Sequence, residues 1–131
     1  GGCVNISGPE NIEARAWYEK NQMPVIAYAS LGRGFFSGRM KSVNADHAED
    51  YLDSLAMKGY ACPDNFERLR RCEIIAEKHG VTVAQIAMSW IFSQPLNIFA
   101  IASMSKADRM KANREALLLK LSDEEIAYLA Q

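Results

Sequence analysis

Apolar and polar positions along this chain follow two rhythms, one of helical period and one of short unbroken apolar runs. Ile12, Ala16 and Trp17 recur at helical spacing, which predicts a helix running to about Asn21. Ser7-Gly8-Pro9-Glu10 ahead of it has the composition of a helix start: a capping Ser, a Pro in the first turn and a Glu three residues on. Met23-Pro24-Val25-Ile26-Ala27-Tyr28-Ala29 is a short apolar run with β-branched residues, which predicts a strand buried on both faces, as in a parallel sheet. Leu31-Gly32-Arg33-Gly34 then punctuates the chain. From Phe35 to Pro63 the rhythm weakens. A short helix is expected over 44–57, with Tyr51, Leu52 and Leu55 on one side, inside a long excursion of the kind that is often functional.

Helical period returns after Pro63. Phe66, Leu69, Cys72, Ile75 and Ala76 share a face of a helix expected from Asn65 to His79, with Gly80 as its C-cap. Thr82-Val83-Ala84-Gln85 is a capping-box pattern that opens a mostly apolar helix through Ile91 or Phe92, and Pro95 ends it. Ile98-Phe99-Ala100-Ile101-Ala102 reads as a second buried strand. Ser105-Lys106-Ala107-Asp108 can cap a helix to about Leu117, and Ser122-Asp123-Glu124-Glu125 caps a final short one. Strands alternating with helices predict a parallel α/β architecture. Two strands leave long open edges, which invite pairing with another chain. With no initiating methionine before Gly1, the chain is expected to be a piece of a longer protein.

Composition narrows the function classes. The 131 residues match one ordinary domain, with 49% hydrophobic and 24% charged residues. Fifteen Lys and Arg against sixteen Asp and Glu give a net charge of −1, so no general attraction to nucleic acid or anionic lipid is expected. No apolar run is long enough for a membrane helix, and the first residues lack the pattern of a signal peptide. Cys3, Cys62 and Cys72 are far apart and show no metal-ligand spacing, so they read as free thiols in a reducing cytoplasm. Asp46, Glu49, Asp50 and Asp53 form an acidic patch without the compact oxygen-ligand loop of a metal site. Arg68, Arg70 and Arg71 alternate with acidic residues and are expected on a solvated helix face.

Three separated stretches carry a resemblance. The run from Ile26 to Arg39 resembles the seventh-strand region of aldo-keto reductases. The run from Ile75 to Trp90 resembles the paired helices between their strands seven and eight. Residues Ser103 to Asn113, followed by Leu121 to Ile126, resemble the last cofactor loop and the C-terminal helices. The likeness covers nearly the whole chain from Trp17 onward, with the motifs in the family's order. It implies the C-terminal portion of a TIM (β/α)₈ barrel, incomplete over residues 1–131. A whole barrel of this class has eight strands and about 250 residues. It also implies NADPH as cofactor, with NAD less favoured, and hydride transfer to or from an aldehyde or ketone. The family's catalytic Tyr, Lys, Asp and His belong to its N-terminal half. Neither His47 nor His79 stands in a matching context, so no catalytic residue is assigned, and Tyr51, Tyr60 and Tyr128 are not promoted into that role.

Cofactor contacts are what the resemblance carries over. Tyr28 matches the aromatic residue that stacks on the nicotinamide; a core tyrosine is the alternative. Ser30, Leu31, Gly32 and Arg33 match the loop wrapping the pyrophosphate, where turn amides can form an anion-binding concavity. Arg39 matches a basic position that adds a charged donor, against the alternative of a solvated surface charge. Ser103, Ser105 and Lys106 lead into a helix N-terminus suited to phosphate. Arg109 matches the contact to the adenosine 2′-phosphate, and Asn113, one turn on, matches the residue that bonds adenine. Four positions depart from the family pattern: Ala29 for Ser, Ser30 for Pro, Ser103 for Gly and Ala112 for Glu. The expectation is therefore part of a carbonyl reductase, inactive alone, in which the excursion shapes the substrate side. A non-catalytic cofactor-binding module and a self-assembling half-barrel are the alternatives.

Overall fold

The computed structural model describes residues 8–102 and 106–131. Its elements in order are α1 (Ile12–Asn21), β1 (Val25–Ala27), α2 (Ser54–Tyr60), α3 (Pro63–His79), α4 (Val83–Phe92), β2 (Ile98–Ala100), α5 (Ala107–Leu118) and α6 (Asp123–Ala130). Tight 3₁₀ turns occupy Gly32–Gly34 and Ser42–Asp50 between β1 and α2. The architecture is α/β and helix-rich, as the alternation predicts. The capping Ser7 of the sequence reading and the thiol of Cys3 lie outside the described residues.

Local signals explain the helix ends. Thr82 and Ser122 both close capping boxes: the side chain of each accepts from the amide three residues on, and Gln85 or Glu125 reaches back to the cap amide. Gly80 takes φ 65 at the end of α3, the left-handed geometry that stops a helix cleanly. α3 starts at Pro63, two residues before the expected Asn65, because proline needs no amide partner in a first turn. The helix expected over 44–57 is split. Residues Ser42–Asp50 coil as 3₁₀ turns, and Asp53 caps a separate α2 through Ala56 N at 2.7 Å. Leu52 is therefore buried, whereas Leu55 stays 58% exposed.

β1 and β2 pair in parallel, with Val25 opposite Ile98, Ile26 opposite Phe99 and Ala27 opposite Ala100. The expectation of strands buried on both faces is corrected. Ile26 is 65% exposed and Phe99 56%, and the alternation continues past the strand ends to Tyr28 and Ile101. The other face, with Val25, Ala27, Ile98 and Ala100, is half-buried, and β2 packs on α4. Among the described residues, a sheet of two strands has helices to cover only one side.

The core sits elsewhere. Phe35, Met40, Ala48, Leu52 and Ala56 pack with Leu69, Cys72 and Ile75 of α3, Val83 and Ile86 of α4, and Leu129 of α6. The excursion thus closes the core rather than looping away from it. α4 is the spine: Gln85 Nε2 reaches Ala112 O of α5 at 3.2 Å, Ser89 Oγ donates to Leu119 O at 2.9 Å, and Trp90 Nε1 donates to Ile126 O at 3.1 Å. Arg70 and Arg71 pair with Glu67 along α3, and Arg71 lies over the Tyr128 ring. These pairs hold the Glu67 carboxyl down at about 2. Burial pushes the Cys72 thiol up to about 12, whereas Cys62 is exposed.

Candidate cofactor site

A parallel pairing sends both strand exits to one edge of the sheet. Two bonds cross between those exits. Ile101 N donates to Ala27 O at 3.0 Å, and the Ser30 hydroxyl lies 3.2 Å from Ala27 O and 3.1 Å from Ile101 O. Ser30 therefore staples the turn after β1 to the segment after β2, a contact a proline at that position could not make. Tyr28, the first residue past β1, is 66% exposed on the sheet face opposite α4. It is not buried among the described residues.

The turn itself is built from left-handed backbone. Ala29 has φ 53, Gly32 φ 57, Arg33 φ 53 and Gly34 φ 96. Gly32 is needed there twice over. Its φ disfavours any side chain, and a Cβ would come within 3.2 Å of Phe35 Cβ and Tyr60 Cδ1. Many of the turn's amides are already engaged: Gly32 N donates to Ala29 O, Gly34 N and Phe36 N to Leu31 O, and Phe35 N to Gly32 O. Of the four positions read as the pyrophosphate loop, Gly32 is the one whose amide is engaged within the turn among these bonds. Arg33 is not a free donor either. Its Nη2 meets Asp53 Oδ2 at 3.0 Å, with the two side chains 38% and 55% exposed. The Ala56 amide and the guanidinium lower the Asp53 carboxyl's pKa, and the carboxylate in turn raises that of Arg33.

Arg39 stands apart, exposed and without a side-chain bond among the described residues. It borders two clefts. One, of about 340 Å³, is also lined by Arg33, Gly34, Ser37, Asp50 and Asp53. The other, of about 520 Å³, includes Lys41, Glu73, Glu77 and Thr82. At the second exit, Lys106 is the N-cap of α5 and Arg109 lies in its first turn; both side chains are exposed and unbonded among the described residues. Asn113 lies one turn further along and is half-buried. Ser103 and Ser105 lie outside the described residues. Asp53 and Tyr60 were not singled out as site residues by sequence reasoning. The available signal was Asp53 three residues ahead of Ala56, an N-cap spacing that the acidic patch around it obscured.

The described residues include no cluster of His, Cys, Asp and Glu arranged to hold a metal ion. No helix is long and apolar enough to cross a membrane. Together the parallel pairing and the bonds between Ile101, Ala27 and Ser30 define an α/β unit whose two strand exits share one edge.

Comparison with known sequences agrees. The profile described as "Aldo/keto reductase family" matches residues 10–131, and the chain belongs to that family. It is 29% identical over 107 residues to "Aldo-keto reductase str7" of Strobilurus tenacellus, covering 79% of this chain and 31% of the relative. It is 28% identical over 102 residues to "Probable aldo-keto reductase 1" of Glycine max, covering 78% of this chain and 30% of the relative. The chain therefore spans about a third of the length of these relatives. The family implies a TIM-barrel fold.

Proposed function

We propose that this chain forms the seventh and eighth strand units of an aldo-keto reductase barrel and supplies its grip on NADPH. The observation that carries the reading is the union of the two strand exits through Ser30 and Ile101, beside an exposed Tyr28. Barrel enzymes bind ligands at the C-terminal ends of their strands, which is where this edge lies. Bound NADPH would supply the hydride for an aldehyde or ketone, or accept one from an alcohol.

The chain's own residues bind and orient. Tyr28 offers a flat apolar face to the nicotinamide. The 30–33 turn and Arg39 lie along the pyrophosphate. Lys106 and Arg109 meet the 2′-phosphate at the start of α5, where helix dipole and guanidinium act in the same direction. Asn113 serves adenine. Those two cations favour NADPH over NADH, because NADH lacks the phosphate they would neutralise. No residue here is assigned to proton transfer, so the chain alone is expected to show no carbonyl-dependent NADPH oxidation. A cytoplasmic setting fits the free thiols.

Titration with NADPH, followed by quenching of its fluorescence, tests the reading. Arg109→Ala should weaken NADPH about tenfold, the loss of one charge-assisted contact, and leave NADH unchanged. Equal binding of NADPH by wild type and variant would remove Arg109 from the site. A second reading has its own observation. The exposed Ile26, Tyr28, Phe99 and Ile101 form an apolar face that a second copy could cover. Light scattering over a concentration series tests it: association is expected, and a monomer throughout would refute it.

A further inference from the structure

We propose that Asp53 is a positioning residue for the cofactor turn, acting through Arg33, and that α2 holds that turn. The proposal rests on the cofactor reading above.

Arg33 occupies left-handed backbone, φ 53 and ψ 35, which is unfavourable for a side-chain-bearing residue. Asp53 opposes that cost. Asp53 uses its two oxygens for two tasks: Oδ1 accepts Ala56 N at 2.7 Å and caps α2, while Oδ2 meets Arg33 Nη2 at 3.0 Å. The carboxylate is thus fixed to a helix end before it reaches the guanidinium. The same helix touches the turn again at its far end, where Tyr60 closes on Gly32. One short helix contacts two adjacent residues of the turn from its two ends. In the resulting geometry Arg33 is committed to Asp53, which leaves the neighbouring Arg39 as the cation free to meet an anion in the shared cleft.

Asp53→Asn isolates the tie. Asparagine caps helices as well as aspartate does. With its single oxygen turned to Ala56, it presents an amide N–H₂ to the guanidinium instead of a carboxylate. The variant should lower its thermal midpoint by no more than the loss of one half-exposed pair and bind NADPH about fivefold more weakly, the upper limit for such a pair. It should also speed amide exchange at Gly32, Gly34, Phe35 and Phe36 in cofactor-free protein. Arg33→Gly supplies the second arm, since glycine takes positive φ without being held. In that background, adding Asp53→Asn should change NADPH affinity less than about twofold.

Unchanged affinity and unchanged exchange in Asp53→Asn would overturn the proposal, as would an equal loss with and without Arg33→Gly. Failure of the wild type to bind NADPH would instead remove the cofactor reading. The tie between Asp53 and the turn would then be decided by amide exchange alone: faster exchange in Asp53→Asn supports it, and unchanged exchange refutes it.

Discussion

The helical half of this protein and its two-stranded half solve burial in opposite ways. In the helical half, the excursion after β1 folds back onto α3, α4 and α6, so Phe35, Met40, Leu69 and Ile86 are fully enclosed. In the strand half, α4 covers one side of the sheet while Ile26, Tyr28, Phe99 and Ile101 face outward. The first half buries its apolar side chains against its own elements. The second presents apolar surface that remains to be covered, and it does so at the edge where the candidate cofactor residues lie.

Paired truncations give the sharpest test of that contrast. Phe35→Ala should cost about 3–5 kcal/mol, because a fully buried aromatic leaves a cavity among Phe66, Phe36 and their neighbours. Phe99→Ala should cost less than about 1 kcal/mol in the same chain, since half its surface is already in water. Urea midpoints for the two variants check this, and similar losses would erase the distinction between the halves. Gly32→Ala should cost about 1–2 kcal/mol through left-handed strain and the close approach of Tyr60. Its NADPH affinity should fall with it, because this glycine joins the packed half to the cofactor edge.

The smallest effect is one of pH. Glu125 fastens α6 to the end of α3 through Lys78 Nζ at 2.7 Å and His79 Nε2 at 2.9 Å. Lys78, then the Ser122 amide, then His79 hold its carboxyl at about 2, below the ordinary 4.5. A carboxyl depressed in the folded state is protonated first in the unfolded chain. Its contribution is therefore full above pH 4.5 and lost as pH falls toward 2. Thermal midpoints followed over that window should fall less steeply in Glu125→Gln than in wild type. An identical slope would show that this carboxylate does not anchor α6.

Much of this could be read from residue order alone. Both capping boxes, the Gly80 stop, the parallel order of strands and helices, and the family itself rest on local patterns: a side chain meeting an amide three residues away, or an apolar stripe every third or fourth position. What tertiary structure decided lies across longer separations. The excursion has no clean period, yet its apolar residues complete the core because the chain wraps α3, and burial there follows the path of the backbone rather than a repeat. Arg33, read as a pyrophosphate contact, is engaged by Asp53 twenty positions on. Ser30, expected only as part of a turn, reaches Ile101 across seventy-one. Periodicity encodes which face of an element is apolar. Which other element covers that face, or leaves it open as at Ile26 and Phe99, depends on contacts that no local pattern specifies.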